Sequence, residues 1–253
     1  MKIDIVTLFP EMFPGILNSS ILKRARKPRP VSATGKYLTP PMVEINIYNL
    51  RSFAFDKHKQ VDDYPYGGGR GMVLKVEPFY RCVNLLRSKD SYVILLTPQG
   101  EQFNQQMAWE LSRLEHLILL CGHYGGVDER VSELLVDKEI TIGDYILSGG
   151  ELGALVVVDA VVRLIPGVIK EESVRGDSFG DRGILSPPQY TRPREFKGKQ
   201  VPEVLLSGDH KKINNWKRLI ALQRTWQRRP DLLENINLTE EEKRFLLSLD
   251  KEA

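Results

Sequence analysis

The sequence predicts an α/β protein built on a parallel sheet and followed by a small helical region, and three observations carry that prediction. Between Tyr92 and Leu164 the chain runs three times in succession through a strand, a polar glycine-containing loop and a helix. Two short β-branched runs lie upstream, and apolar residues at helical spacing lie downstream. The 253 residues, 42% of them hydrophobic, suffice for one good core and a smaller second one.

In chain order, Ile3–Thr7 and Val43–Tyr48 read as strands, separated by a basic, proline-containing stretch from Lys23 to Pro41 that reads as a loop. After Gly67-Gly68-Gly69, the first unit runs from Tyr92–Leu96 through Thr97-Pro98-Gln99-Gly100 into a helix near Gln105–Leu114. The second runs from His116–Cys121 through Gly122-His123-Tyr124-Gly125-Gly126 into a helix beginning near Asp128. The third runs from Glu139–Ile142 through residues 143–150 into the apolar helix Glu151–Leu164, which Pro166-Gly167 ends. Lys170–Arg182 is polar and weakly periodic, so the domain boundary is expected there. The expected division is residues 1–168, a linker at 169–180, and a helical domain at 181–253. In that last part Ile213, Trp216, Leu219, Ile220, Leu222 and Trp226 share a helical period, and Leu238–Leu249 reads as a helix capped at Thr239.

Composition narrows the function classes. A net charge of +3 is too small by itself to announce a nucleic-acid partner, so local clustering must decide. From Lys211 to Arg229 seven Lys or Arg residues occur with no Asp or Glu, interleaved with Trp216 and Trp226. A face of one sign suits a phosphate backbone, although packing into a core explains the tryptophans equally well. Cys82 and Cys121 lack metal-like spacing and read as buried reduced thiols, which fits a cytoplasmic location. Asp4 and Glu11 interrupt the apolar N-terminus, and Asp159, Arg163 and Pro166 interrupt the longest apolar stretch, so neither a signal peptide nor a membrane span is expected.

Three consecutive glycine loops at strand ends read as a cofactor site, because ligands collect at the carboxyl ends of parallel strands. Neither a G-x-G-x-x-G fingerprint nor a P-loop lysine motif occurs, which argues against a dinucleotide fold and a nucleoside triphosphatase. The histidines have no ligand spacing, and Asp177 on its own reads as a solvated loop acid.

The stretches FDKHKQVDDYPYGGGRGM, LLTPQG, CGHYGGVDERV, IGDYILSGGEL, VDAVVRLIPGV, DSF, PQYTRP and QRTWQRRPDLL together resemble the bacterial tRNA (guanine-N1)-methyltransferases of the SPOUT superfamily. For the fold, the resemblance implies a deep trefoil knot in the N-terminal domain, a rare exception to the rule against knots. It also implies S-adenosylmethionine as donor and a magnesium requirement. The substrate it implies is tRNA, methylated on the guanosine just 3′ of the anticodon, and the enzyme it implies is a homodimer with composite sites.

Carried over motif by motif, the resemblance sets the donor against Leu96, Thr97, Pro98, Gly122, Tyr124, Gly126, Ile142, Gly143, Asp144, Tyr145, Ile146, Leu147, Gly149 and Gly150. It makes Asp177 the general base and Arg163 its electrostatic partner. Lys212, Trp216, Arg218, Arg224, Arg228 and Arg229 are the expected tRNA contacts, with no metal ligand named. The alternative is a non-catalytic RNA-binding module using the basic helix alone, which leaves the glycine loops unexplained. The chain departs from the family pattern at Gly125, where a Glu is usual, at Arg70, where Pro is common, and in the Pro-rich insert from Pro28 to Pro41. A Glu restored at Gly125 is expected to be tolerated.

Overall fold

Five parallel strands, Lys2–Thr7 (β1), Glu44–Asn49 (β2), Ser91–Gln102 (β3), His116–Cys121 (β4) and Lys138–Thr141 (β5), lie in the order β2-β1-β4-β3-β5 in the computed structural model. The described residues are 1–30, 38–69, 71–180, 183–234 and 236–250, so Arg70 and residues 31–37 of the Pro-rich insert lie outside them. The chain divides into two units, Met1–Ile169 and Lys170–Ala253.

The central strand β4 is buried along its whole length, and its sequence HLILLC is correspondingly a continuous run rather than an alternation. Ile118 and Leu120 join a core cluster with Val6 and Leu95, against Phe79, Cys82 and Val83 of helix α1 (Val76–Leu86). Val131 and Leu135 add helix α3 (Glu129–Leu135) to the same cluster. Helices α2 (Gln105–Leu111) and α4 (Glu151–Val162) also pack on one another. Side-chain caps start two of these helices, with Asn104 accepting from Met107 N–H at 2.9 Å and Asp128 from Arg130 N–H at 3.0 Å.

Strand β3 differs from the sequence expectation, which ended it at Leu96. It continues to Gln102 beside β5, and the register shifts between Leu96 and Glu101. The expected loop Thr97–Gly100 is therefore an irregular stretch within a strand. Gly100 permits it, since a side chain there would collide with the backbone of Glu139 and Ile140. At the other end of the sheet His116 joins three strands: its ring lies 2.7 Å from Ser91 Oγ and 2.9 Å from Asp4 Oδ2. Asp4, wholly buried, also accepts from Lys2 Nζ at 2.8 Å and Asn46 Nδ2 at 3.0 Å, so its charge is compensated.

The second unit contains α5 (Glu171–Gly176), α6 (His210–Arg228) and α7 (Glu240–Asp250), with Ile184, Ala221, Leu222 and Leu246 at its centre. Thr239 and Glu242 form a reciprocal cap on α7: Thr239 N–H donates to Glu242 Oε2 at 2.9 Å, and Glu242 N–H donates to Thr239 Oγ1 at 3.2 Å. Glu242 also accepts from Arg218 Nε at 2.6 Å, with both side chains largely buried. The Arg218 guanidinium, by this hydrogen bond first, holds the Glu242 carboxyl below its usual range.

A group whose folded pKa is depressed stabilises the fold above its unfolded pKa and loses that contribution as pH falls through the folded value. Glu242→Gln is therefore expected to cost about 1–2 kcal/mol at neutral pH. The gap between the two proteins should narrow as pH drops below the ordinary carboxylate range. Urea unfolding across pH checks this, and a gap independent of pH would assign the effect to packing.

Candidate active site

The irregular middle of β3 and the loops after β4 and β5 open on one cavity of about 450 Å³. Its lining takes in Leu96, Thr97 and Pro98 from β3 and Gly122, Tyr124 and Gly126 from the loop after β4. The loop after β5 contributes Ile142, Tyr145, Ile146, Leu147, Gly149 and Gly150. Gly143 and Asp144, also expected there, are not among the lining residues. Gly143 shapes the turn instead: at φ +156° it lets the Tyr145 ring lie directly against its Cα. Thr141 Oγ1 donates to the Gly143 carbonyl at 3.0 Å and accepts from its N–H at 3.3 Å.

Close backbone approach explains Gly150. A Cβ at Gly150 would lie 2.9 Å from Cys121 Cα and 3.1 Å from Gly122 N, so the loop after β5 can cross the end of β4 only without a side chain. Gly150 N–H accordingly donates to the Gly122 carbonyl at 2.8 Å. A Cβ at Gly149 would collide with Glu151 Oε2 and His123 Nδ1. Beneath the loops Cys121 is wholly buried, and burial pushes its thiol well above the usual range, which keeps it protonated.

Motif matching passed over His123 and Glu151. Glu151 is 1% exposed at the start of α4, and its Oε1 accepts from Thr7 Oγ1 at 2.8 Å. Its Oε2 lies 3.7 Å from His123 Nδ1, a buried atom without a hydrogen-bond partner among the described residues. His123 lines the cavity, its ring held between Phe9 at 4.7 Å and Tyr124 at 4.9 Å. A buried carboxylate thus stands behind the wall of a ligand cavity. The one available sequence signal was an acid directly after Ser148-Gly149-Gly150.

Gly125 also lines the cavity, and here the geometry opposes the expectation of tolerance. A Cβ at Gly125 would lie 2.8 Å from the Met72 carbonyl oxygen, which accepts the Gly125 N–H at the same distance. The obstacle is backbone, so Met72–Val73 must move to admit any side chain. Gly125→Glu is expected to cost about 1–2 kcal/mol of overpacking, roughly tenfold in ligand affinity where the cavity bears it. Calorimetric titration checks this, and Gly125→Ala should show most of the same loss.

The expected catalytic pair falls in different units. Arg163 is the C-cap of α4 in the first, and Asp177 is the C-cap of α5 in the second, exposed and in extended backbone. Of the expected RNA contacts, Arg218 is held by Glu242 within the second unit, and Arg229 pairs with Asp231 at 2.6 Å. Lys212 lies 3.6 Å from Asp209, and Arg224 Nη1 donates to the Ser186 carbonyl at 3.4 Å. Arg228 is exposed, and Trp216 is half-buried. Trp226 packs against the core of this unit, so packing into a core accounts for it.

A cavity walled by the irregular middle of one parallel strand and by glycine loops at the carboxyl ends of its two neighbours defines an α/β protein with room for a small ligand beside its sheet. A family profile described as tRNA (Guanine-1)-methyltransferase TrmD matches residues 1–235. The chain is 54% identical over 256 residues to a tRNA (guanine-N(1)-)-methyltransferase of Moorella thermoacetica, covering 99% of this chain and 97% of that one. Proteins of the same description from Dictyoglomus turgidum and Staphylococcus haemolyticus are 53% and 51% identical, each over 100% of this chain and 98% of its own length. The chain belongs to the tRNA (guanine-1)-methyltransferase family.

Proposed function

We propose that this protein transfers a methyl group from S-adenosylmethionine to N1 of the guanosine immediately 3′ of the tRNA anticodon. The observation that carries the donor assignment is the convergence of two glycine loops and the irregular middle of β3 on one cavity of about 450 Å³. Those residues fit the group: glycines at the wall leave backbone N–H and C=O groups open to the polar edges of a small ligand, and the buried Glu151 carboxyl stands behind the wall. When bound, the donor supplies an electrophilic sulfonium methyl and leaves as a neutral thioether.

The chain's own residues handle the proton and the charge. Guanine N1 carries a proton and is a poor nucleophile, so Asp177 accepts that proton as the N1–methyl bond forms. Negative charge grows on O6, where the Arg163 guanidinium stabilises it. The base leaves its stack to reach the cavity, as enzymes acting on a base require. Arg224 and Arg228 on the basic helix hold the phosphate backbone.

The same reading gives residues 1–168 as a knotted donor-binding domain, 169–180 as a linker and 181–253 as the tRNA-binding domain of a cytoplasmic homodimer. Among the described residues no group of three or more His, Cys, Asp or Glu could hold a metal ion, so no step is assigned to magnesium. No described helix is long and apolar enough to cross a membrane. The test is transfer of labelled methyl to a tRNA transcript carrying guanosine or adenosine after the anticodon. Label on the guanosine transcript alone is the expected result. Tight tRNA binding without transfer to either would favour the non-catalytic RNA-binding alternative.

A further inference from the structure

Residues 189–200 of the second unit are exposed without exception. Within them Glu195–Phe196 and Lys199–Gln200 pair antiparallel around a two-residue turn, Lys197-Gly198. Both turn residues have left-handed backbone, φ 48° and 75°, the conformation that matches the twist of a tight hairpin. Val201 N–H donates to the Arg194 carbonyl at 2.9 Å, which continues the pairing toward the base.

The side chains on this hairpin have no folding role to explain them. Phe196 is 65% exposed and Tyr190 48%, and neither belongs to the core cluster of the unit. Arg192, Arg194, Lys197 and Lys199 surround them. Glu203 engages Arg194 at 2.8 Å, and the carboxylate of Glu195 accepts from Gln200 Nε2 at 3.1 Å. Among the described residues no acid pairs with Arg192, Lys197 or Lys199. Lys197 Nζ stands 5.7 Å from the centre of the Phe196 ring, so a cation and an open aromatic face are presented together.

We propose that this hairpin is a second RNA contact, separate from the basic helix, which stacks an unpaired nucleotide on Phe196 and holds the adjoining phosphates with Arg192, Lys197 and Lys199. Stacking on an exposed aromatic beside cations is how proteins hold single-stranded nucleotides without reading their sequence. An exposed hairpin with this many cations suits a polyanion with splayed bases better than an apolar protein face. The inference rests on the tRNA reading above and deepens it.

The experiment measures binding of an unmodified tRNA transcript to the full chain by fluorescence anisotropy, between about 50 and 200 mM salt. Phe196→Ala and Phe196→Leu should each weaken binding about tenfold, because Leu restores bulk without a π face. The double variant Lys197→Glu, Lys199→Glu should lower the salt slope by about two. Donor affinity and the rate at saturating tRNA should stay at the wild-type value in all three.

Unchanged affinity and slope in variants of an otherwise active enzyme would overturn the hairpin contact and leave the methyltransferase reading standing. Weakened binding accompanied by altered oligomeric mass would also overturn it, assigning the hairpin to contact between copies of the chain. Wild-type protein that binds no tRNA would remove the tRNA reading and this inference with it.

Discussion

Asp177→Asn is expected to lower methyl transfer by roughly 10²–10⁴-fold, the range for loss of a general base. Donor affinity should stay within about twofold of wild type, because proton transfer adds nothing to donor binding in the ground state. Asparagine keeps the shape of the side chain but cannot take the N1 proton. Asp177 is exposed at the end of α5, so the substitution removes no core packing. Single-turnover transfer of labelled methyl, alongside calorimetric titration of the donor, separates the two quantities. Donor affinity falling in step with rate would take the base role away from Asp177.

Mixing two inactive variants should restore about a quarter of wild-type activity, provided subunits exchange at random and sites act independently. The pair is Asp177→Asn and Gly149→Trp. The second blocks the cavity, because any side chain at Gly149 collides with His123 and Glu151. In a homodimer whose sites draw the donor loops from one subunit and Asp177 from the other, a mixed dimer has one site with both defects and one with neither. Roughly half the dimers are mixed, and each contributes one good site. Sites built within single subunits would give no recovery, since every site would keep a defect. No rescue after demonstrated exchange would therefore remove the shared site while leaving the activity assignment in place.

The parallel sheet was legible because glycine directly follows β4 and closely follows β5, and because two of the following helices begin at polar caps, Asn104 and Asp128. The cavity was legible in large part, since the segments expected as loops at three neighbouring strands do converge, although the first of them lies within β3. Helix α1 went unread although Phe79, Cys82, Val83 and Leu86 have helical spacing, because Pro78 and the preceding glycine run draw the eye to turns. The continuation of β3 through Pro98 and Gly100 was hidden by the same residues, which mark a loop in most settings. His123 and Glu151 could not be paired from sequence, because only the folded loops bring them within 3.7 Å. Arg218 counts among the seven Lys or Arg residues from Lys211 to Arg229, yet its partner Glu242 lies on another helix that charge counting along one segment cannot see.

The order of strands also governs how the molecule is made. Strand β1 precedes the other four strands along the chain and ends up between β2 and β4, so one of its hydrogen-bonding edges waits until residues 116–121 have emerged. Until then a buried-type apolar strand offers an open row of backbone donors and acceptors, the feature that invites pairing with other chains. The wall of the cavity closes later still, because the bond from Thr7 to Glu151 joins residues 144 apart in sequence. Such long-range pairings slow folding. The newborn chain thus passes through a prolonged stage in which it is vulnerable to aggregation, and shielding of its first strand on the ribosome should set the yield of active protein.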